Sequence, residues 1–248
     1  MNIILFNHEE VQQATITVTD HRARHIIKTL RAKTGDTLIT GEINGPKGTS
    51  RVQHIDKQTV SFDTITHNQQ QSRPGIDLIM ALPRPIMLKR VLAQVATFGV
   101  NHLFIINSNR VEKSFFSSSI LQSEKIERRL LDGLEQASAT ALPTVSIHTR
   151  FRPFIEDVLP EQMTNYSHTA LAHPNARDAL HDIIPHNTTG HILLVIGPEG
   201  GWVEYEVSQF AALGIASFGM GERILRVDSV VPALLSQVDL LKSLPRSP

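Results

Sequence analysis

The chain contains no cysteine, which excludes disulfides, thiolate metal sites and a cysteine nucleophile together. Aromatic residues are scarce, 5% of 248 with a single tryptophan, so the core must be built mainly from Leu, Ile, Val and Ala. Neither charge is in excess: 24 Lys and Arg balance 24 Asp and Glu. A nucleic-acid partner would therefore be held by a local basic patch, not by a global field. No apolar run approaches the ~20 residues of a membrane span. The opening Met1-Asn2-Ile3-Ile4-Leu5-Phe6 turns polar too soon for a secretory signal, so a soluble, cytoplasmic protein is expected. The twelve histidines include no HExxH and no close His/Asp cluster, and no metal site is expected. The hydrophobic share of 41% suffices for an ordinary core, and the length suits one large domain or a small one with a medium one.

The first part of the chain reads as short strands. Residues 14–18 alternate and are rich in β-branched side chains; residues 36–40, 50–55 and 60–65 are similar. Turn signals at Thr34-Gly35-Asp36 and Asn44-Gly45-Pro46-Lys47-Gly48 separate them. One helix interrupts, with Asp20 as its cap. The pattern predicts a small barrel-like β domain over residues 1–73, about seventy residues, a size that suits a minimal domain. The polar stretch 67–75 is its linker to residues 74–248. There the pattern changes to strands at 76–82, 103–106, 145–148, 169–172, 191–196 and 215–218. Helices alternate with them at 88–98, 123–137, 153–159, 203–213 and 228–242. Such alternation predicts an α/β domain with helices on both faces of a mostly parallel sheet.

Chemistry concentrates late in the chain. The most apolar strand, 191–196, runs into Gly197-Pro198-Glu199-Gly200-Gly201. Open α/β sheets bind ligands at strand carboxyl ends, and glycines there let the backbone approach a ligand or adopt positive φ. The helix that follows has Glu204 and Glu206 in its first turn, as its dipole prefers, and Trp202 is placed to cover the loop. The same spacing also fits a tight strand-to-helix turn with no ligand. The loop is neither a Walker motif nor GxGxxG. A second loop sharpens the reading. Strand 215–218 leads into Gly219-Met220-Gly221, and Ile224-Leu225-Arg226-Val227-Asp228-Ser229 enters the last helix. If the two strands are neighbours, their loops could hold a flat adenine between backbone amides and apolar side chains. Arg226 stands where a cation can act, and equally where a structural salt bridge can form. Asp228 and Ser229 can cap the helix.

These motifs together resemble the 16S rRNA uridine N3-methyltransferases of the SPOUT class. Residues 196–201 match the family's signature loop and Glu206 the acid after it; residues 221–226 match its second signature. Ala172-His173-Pro174 resembles the His-Pro element after an earlier strand. Residues 26–35, 96–100 and Glu135-Gln136 match further elements, so the resemblance covers nearly the whole chain. It implies a trefoil-knotted α/β methyltransferase domain preceded by a small PUA-like β-barrel domain that binds RNA. It implies S-adenosylmethionine as cofactor and a homodimer. The substrate would be 16S rRNA of the small ribosomal subunit, methylated at N3 of a uridine. Backbone of Ile196, Gly197, Gly201, Met220, Ile224, Leu225 and Val227 would hold the adenosine. Leu171, His173, Pro198, Gly200, Gly221 and Ser229 would complete the cofactor site.

Transfer to uracil N3 requires loss of the N3 proton, so a cation near the uracil oxygens favours the anion and a carboxylate can accept the proton. Arg226 is the expected cation. Asp228 or Glu199 is the acceptor, with Glu199 alternatively bracing its loop. Expected RNA contacts are Arg22, Arg24, Lys28 and Arg31 on or beside the first helix, and Arg84 and Arg110 near Lys89, Arg90 and Lys113. The chain departs from the family pattern where arginine usually follows Glu135-Gln136; here it reads Ala137-Ser138-Ala139-Thr140-Ala141. It also has Thr97-Phe98 for Glu-Leu, and Val227-Asp228-Ser229 for Thr-Glu-Thr. These leave two alternatives: a SPOUT RNA methyltransferase with another base or ribose target, or a diverged, non-catalytic RNA-binding protein.

Overall fold

A computed structural model describes residues 1–69 and 73–245. The fold is mixed α/β and divides into two units, Met1–Ser72 with Leu131–Leu142, and Arg73–Leu130 with Pro143–Pro248.

The smaller unit is built on six strands: β1 (Ile4–Phe6), β2 (Val11–Gln12), β3 (Thr15–Val18), β4 (Thr37–Glu42), β5 (Lys47–Ile55) and β6 (Val60–Gln69). They form one sheet in the order β1-β4-β5-β6-β3-β2, antiparallel except for the parallel pair β1 and β4. Alternation puts Ile16, Val18, Val52, Val60 and Phe62 on the inner face, where they pack with Phe6 and Ile26. The helix α1 (His21–His25) begins at Asp20, whose carboxylate accepts the Arg22 N–H at 2.9 Å. It continues as a wider turn over Ile26–Leu30 and stops at Arg31, which is left-handed.

Two expectations about the boundary change. Residues 67–69 are not linker but the end of β6; Gln70–Ser72 of that stretch lie outside the described residues. The segment Leu131–Leu142, expected in the second domain, belongs to the first unit. The Asn2 N–H donates to Glu135 O at 2.7 Å, the Asn44 N–H to Thr140 O at 2.7 Å, and the Thr140 hydroxyl to Gly45 O at 2.7 Å. Hydrophobic periodicity carries no information about contacts between segments so far apart in sequence.

The larger unit contains β7 (Ile76–Ala81), α2 (Pro85–Thr97), β8 (His102–Ile106), the first half of α3 (Ser123–Ala137), β9 (Thr144–His148), α4 (Phe151–Pro153), α5 (Leu159–Met163), β10 (His168–Ala172), α6 (Leu180–Ile183), β11 (Ile192–Ile196), α7 (Glu204–Ala212), β12 (Ala216–Phe218) and α8 (Val227–Ser243). Its sheet has the order β12-β10-β11-β7-β8-β9 and every pairing is parallel. The central strands β7 and β11 are buried along nearly their whole length, which is why they read as unbroken apolar runs and not as alternation. Each fully buried Leu or Val there contributes about 1.5–3 kcal/mol.

The expected adjacency of β11 and β12 is corrected: β10 lies between them. Because all strands point the same way, the loops after β10, β11 and β12 emerge side by side at one sheet edge. Helix α8 carries Pro232 inside it. Proline lacks the N–H that would bond the carbonyl four residues earlier, and that carbonyl, Asp228 O, instead accepts from the Gln94 amide of α2 at 3.0 Å.

Candidate active site

The three loops enclose a cleft of about 230 Å³. Ala172, His173 and Pro174 form the wall after β10, and the chain from Ile196 to Trp202 forms the wall after β11. Met220, Gly221, Arg223, Ile224 and Leu225 come from the loop after β12, and Val227 and Val230 from the start of α8. Backbone bonds tie the loops after β10 and β12 together: the His173 N–H donates to Phe218 O at 2.9 Å and the Gly219 N–H to Asp178 O at 2.8 Å.

Two glycines shape the β11 loop. A Cβ on Gly197 would lie 2.9 Å from Trp202 Nε1 and 3.1 Å from two ring carbons, so only glycine lets the backbone and the indole come this close. Gly201 has φ +74°, and its N–H donates to Pro198 O at 2.8 Å to close a tight turn. Trp202 is 5% exposed and lies edge-on to Phe210 at 5.3 Å between ring centroids. Its Nε1–H is buried without a hydrogen-bond partner among the described residues.

The loop is braced from outside. Glu199 is exposed, and its carboxylate accepts the Arg84 N–H at 3.1 Å. The Arg110 guanidinium donates to Gly200 O. Glu206, 2% exposed, accepts from the Asn109 N–H at 2.7 Å, the Val203 N–H at 3.0 Å and the Ser108 hydroxyl at 3.2 Å. It thereby joins the start of α7 to the loop after β8.

Arg226 and Asp228 stand beside the cleft and do not line it. Asp228 is 8% exposed. One of its oxygens accepts from Arg90 at 2.9 Å. The other lies 3.5 Å from Arg226 Nε and makes no hydrogen bond among the described residues. The expectation that Asp228 and Ser229 cap the last helix is corrected. Arg226 holds the cap position without a side-chain bond, and the other two sit in the first turn. Ser229 is exposed, and Leu171 is buried beneath the His173 wall within β10; neither lines the cleft. Ala172, Pro174, Trp202, Arg223 and Val230 do line it without having been assigned to the site. Val230 follows Val227 by three residues, a helical spacing that would have marked it.

Of the expected RNA contacts, Arg24, Lys28, Arg31, Arg84 and Arg110 are exposed. Arg22 is not available. Its side chain is 13% exposed and donates to Glu10 at 2.6 and 3.0 Å, to Asp20 at 3.1 Å and to Leu5 O at 2.8 Å. A hydrogen bond from Arg22 holds the Glu10 carboxyl below its ordinary value. This contribution is present above the ordinary carboxylate range and is lost as pH falls through the lowered value. Arg22→Ala is expected to destabilise the smaller unit by about 2 kcal/mol, less than a fully buried pair because the carboxylates reach water. Urea denaturation checks this, and a loss below about 0.5 kcal/mol would contradict a structural role.

Among the described residues no three His, Asp or Glu side chains gather into a group that could hold a metal ion, and no helix is long and apolar enough to cross a membrane. Residues 70–239 match the family described as RNA methyltransferase domain. The chain is 31% identical over 243 residues to ribosomal RNA small subunit methyltransferase E of Treponema pallidum (strain Nichols), covering 96% of this chain and 90% of that one. It is 24% identical to ribosomal RNA small subunit methyltransferase E 1 of Borreliella burgdorferi, covering 94% and 95%. Among solved structures, ribosomal RNA small subunit methyltransferase E from Neisseria gonorrhoeae, bound to S-adenosyl methionine, superposes with a TM-score of 0.77 at 20% identity, covering 96% and 98%. A methyltransferase from Legionella pneumophila in complex with the same cofactor gives 0.76 at 16%, covering 96% and 97%. At such identity the two structures speak for the fold, while the match over residues 70–239 and the Treponema relative carry the assignment: the chain belongs to the ribosomal RNA small subunit methyltransferase E family.

Proposed function

We propose that the protein methylates N3 of a uridine in 16S rRNA of the small ribosomal subunit, using S-adenosylmethionine, in the cytoplasm. The observation that carries this reading is the cleft at the ends of β10, β11 and β12. Its walls fit the cofactor: Ile196, Ile224, Leu225 and Val227 offer apolar faces to a purine, and Gly197, Gly200 and Gly201 let main chain approach it. The buried Trp202 Nε1–H marks a polar position inside an apolar wall. Backbone of Ile196, Gly197, Gly201, Met220, Ile224, Leu225 and Val227 would hold the adenosine, and His173, Pro198, Gly200 and Gly221 would complete the walls. When bound, the cofactor supplies an electrophilic methyl group.

The chain's own residues handle the charge. Arg226 stabilises the uracil anion through its oxygens. Glu199 is engaged with the Arg84 N–H and braces the loop. Asp228, beside the cleft, keeps one oxygen without a hydrogen bond next to Arg226 and is the proton acceptor in this reading. Residues 74–130 and 143–248 would form the knotted SPOUT domain, and the smaller unit a PUA-like barrel that meets RNA through Arg24, Lys28 and Arg31. A homodimer fits the apolar pair Ile224 and Leu225, the former 87% exposed, which a second copy of the chain would cover.

Arg226→Ala is expected to bind S-adenosylmethionine within about twofold of wild type, while methyl transfer falls by about a hundredfold or more, the scale of losing one electrostatic stabiliser. Calorimetry and mass mapping of rRNA nucleosides read the two effects. Normal transfer by the variant defeats the role of Arg226. A wild-type protein that fails to bind the cofactor favours a non-catalytic RNA-binding protein. Methylation of a nucleoside other than uridine N3 favours another target.

A further inference from the structure

We infer that a groove between the start of α2 and the first half of α3, within the larger unit, is a track for the phosphates of the RNA strand that flank the target nucleotide. This rests on the reading of the protein as an rRNA methyltransferase. The groove encloses about 700 Å³. Lys89 of α2 and Lys125, Arg128 and Arg129 of α3 line it, against a single acid, Glu124. In a chain whose charges balance at 24 each, a groove with two exposed lysines, Lys89 and Lys125, beside two arginines is a local concentration of basic residues of the kind an RNA contact requires.

The sequence of α3 explains the alignment. Ile126 and Leu130, four apart, are buried, which sets the inward stripe. Lys125 and Arg129, also four apart, therefore share a neighbouring stripe, with Arg128 three residues from Lys125. Ser118 and Ser119 add hydroxyls at the rim, and α2, thirteen residues long, directs the positive end of its dipole toward the same place. Cations spaced along a groove suit a chain of phosphates better than one small anion, which needs only one or two of them.

The groove and the cleft share no lining residue, but one hydrogen bond links their rims. Pro85, at the edge of the groove, directly follows Arg84, whose N–H is held by Glu199 of the β11 loop. A strand delivering its base to the cleft would thus meet the groove within one residue of the cofactor loop. The track lies apart from the cofactor walls, so cofactor binding and RNA binding are separable.

The test is a triple variant, Lys89→Gln, Lys125→Gln and Arg129→Gln, all three exposed, measured against deproteinised small-subunit rRNA across a salt series. The expected result is at least about a tenfold loss of affinity at low salt. The slope of log K against log salt should become shallower by about 2, near 0.7 per phosphate contact on a single strand. S-adenosylmethionine affinity, read by calorimetry, should stay at the wild-type value. If the triple variant folds poorly, Lys125→Gln alone should still reduce the slope by about 0.7. Unchanged affinity and slope would overturn the track. So would a variant whose sedimentation shows a changed oligomeric state with RNA affinity intact, which would make the groove a contact between copies. Wild-type protein that binds the cofactor yet no rRNA would instead overturn the methyltransferase reading itself.

Discussion

Gly197→Ala is expected to weaken S-adenosylmethionine binding about tenfold or more while the chain remains folded. The added Cβ would lie 2.9 Å from Trp202 Nε1 and 3.1 Å from two further indole atoms, closer than packed atoms tolerate. The indole has little room to yield, since it is 5% exposed and packs edge-on to Phe210 at 5.3 Å. Either the ring shifts into the cleft or the β11 loop moves outward, and both deform a wall of the site. Overpacking of this kind costs about 1–3 kcal/mol; expressed in the bound loop, that is one to two decades of affinity at about 1.4 kcal/mol each. The chain's single tryptophan reports the movement directly, as a change in intrinsic emission of the free protein. Trp202→Phe removes the clashing nitrogen, so the double variant should regain most of the lost affinity, a non-additivity expected of residues in contact. Wild-type affinity in Gly197→Ala would show that the glycine serves only the turn.

The strand-helix alternation of the larger unit was legible because its signals are local. The all-apolar strand Ile192–Ile196 is buried on both faces, and Ser123–Ala137 has the bounds its periodicity predicts. The loop 196–201 was legible for the same reason, as glycines at a strand end. What sequence could not show was lateral order. Two strands close in sequence, β11 and β12, read as neighbours, yet β10 lies between them and brings His173 into the cleft as a third wall. The site is assembled by strand order, and order is set by contacts between distant segments.

Charge was similarly ambiguous. Arg22 and Arg24 are alike on the page, but only Arg22 is enclosed by Glu10, Asp20 and a carbonyl. The stretch after Gln136, where the resemblance led to the expectation of an arginine, carries a structural tie: the Thr140 hydroxyl donates to Gly45 O. Arg110, expected to reach RNA, donates to Gly200 O in the loop after β11. Periodicity does not encode which partner a long side chain finds.

Glu206→Ala is expected to cost about 3–5 kcal/mol of stability, read by denaturant unfolding, and to weaken cofactor binding as well. By helix position alone Glu206 is an acid in a first turn, worth about 0.3–1 kcal/mol to the dipole. In the fold it is 2% exposed and accepts three hydrogen bonds, from Val203, Asn109 and Ser108. Bonds to a charged acceptor contribute about 1.5–3 kcal/mol each, and donors left buried and unpaired add their own desolvation cost. Truncation removes the acceptor of three donors at once, the Ser108 hydroxyl buried and the Asn109 and Val203 N–H groups partly so, so the loss exceeds that of one bond even though the effects do not sum. The consequence reaches the site because Asn109 precedes Arg110, whose guanidinium holds Gly200 O. Releasing the loop after β8 releases that brace, and the β11 loop loses an outer support. Glu206→Gln separates charge from shape. It retains one acceptor oxygen but turns an amide N–H toward donors, so its stability should fall between wild type and alanine. A glutamine variant as unstable as alanine would mean that the full carboxylate is required. An alanine variant losing less than about 1 kcal/mol would mean that the buried acid does not anchor the loop.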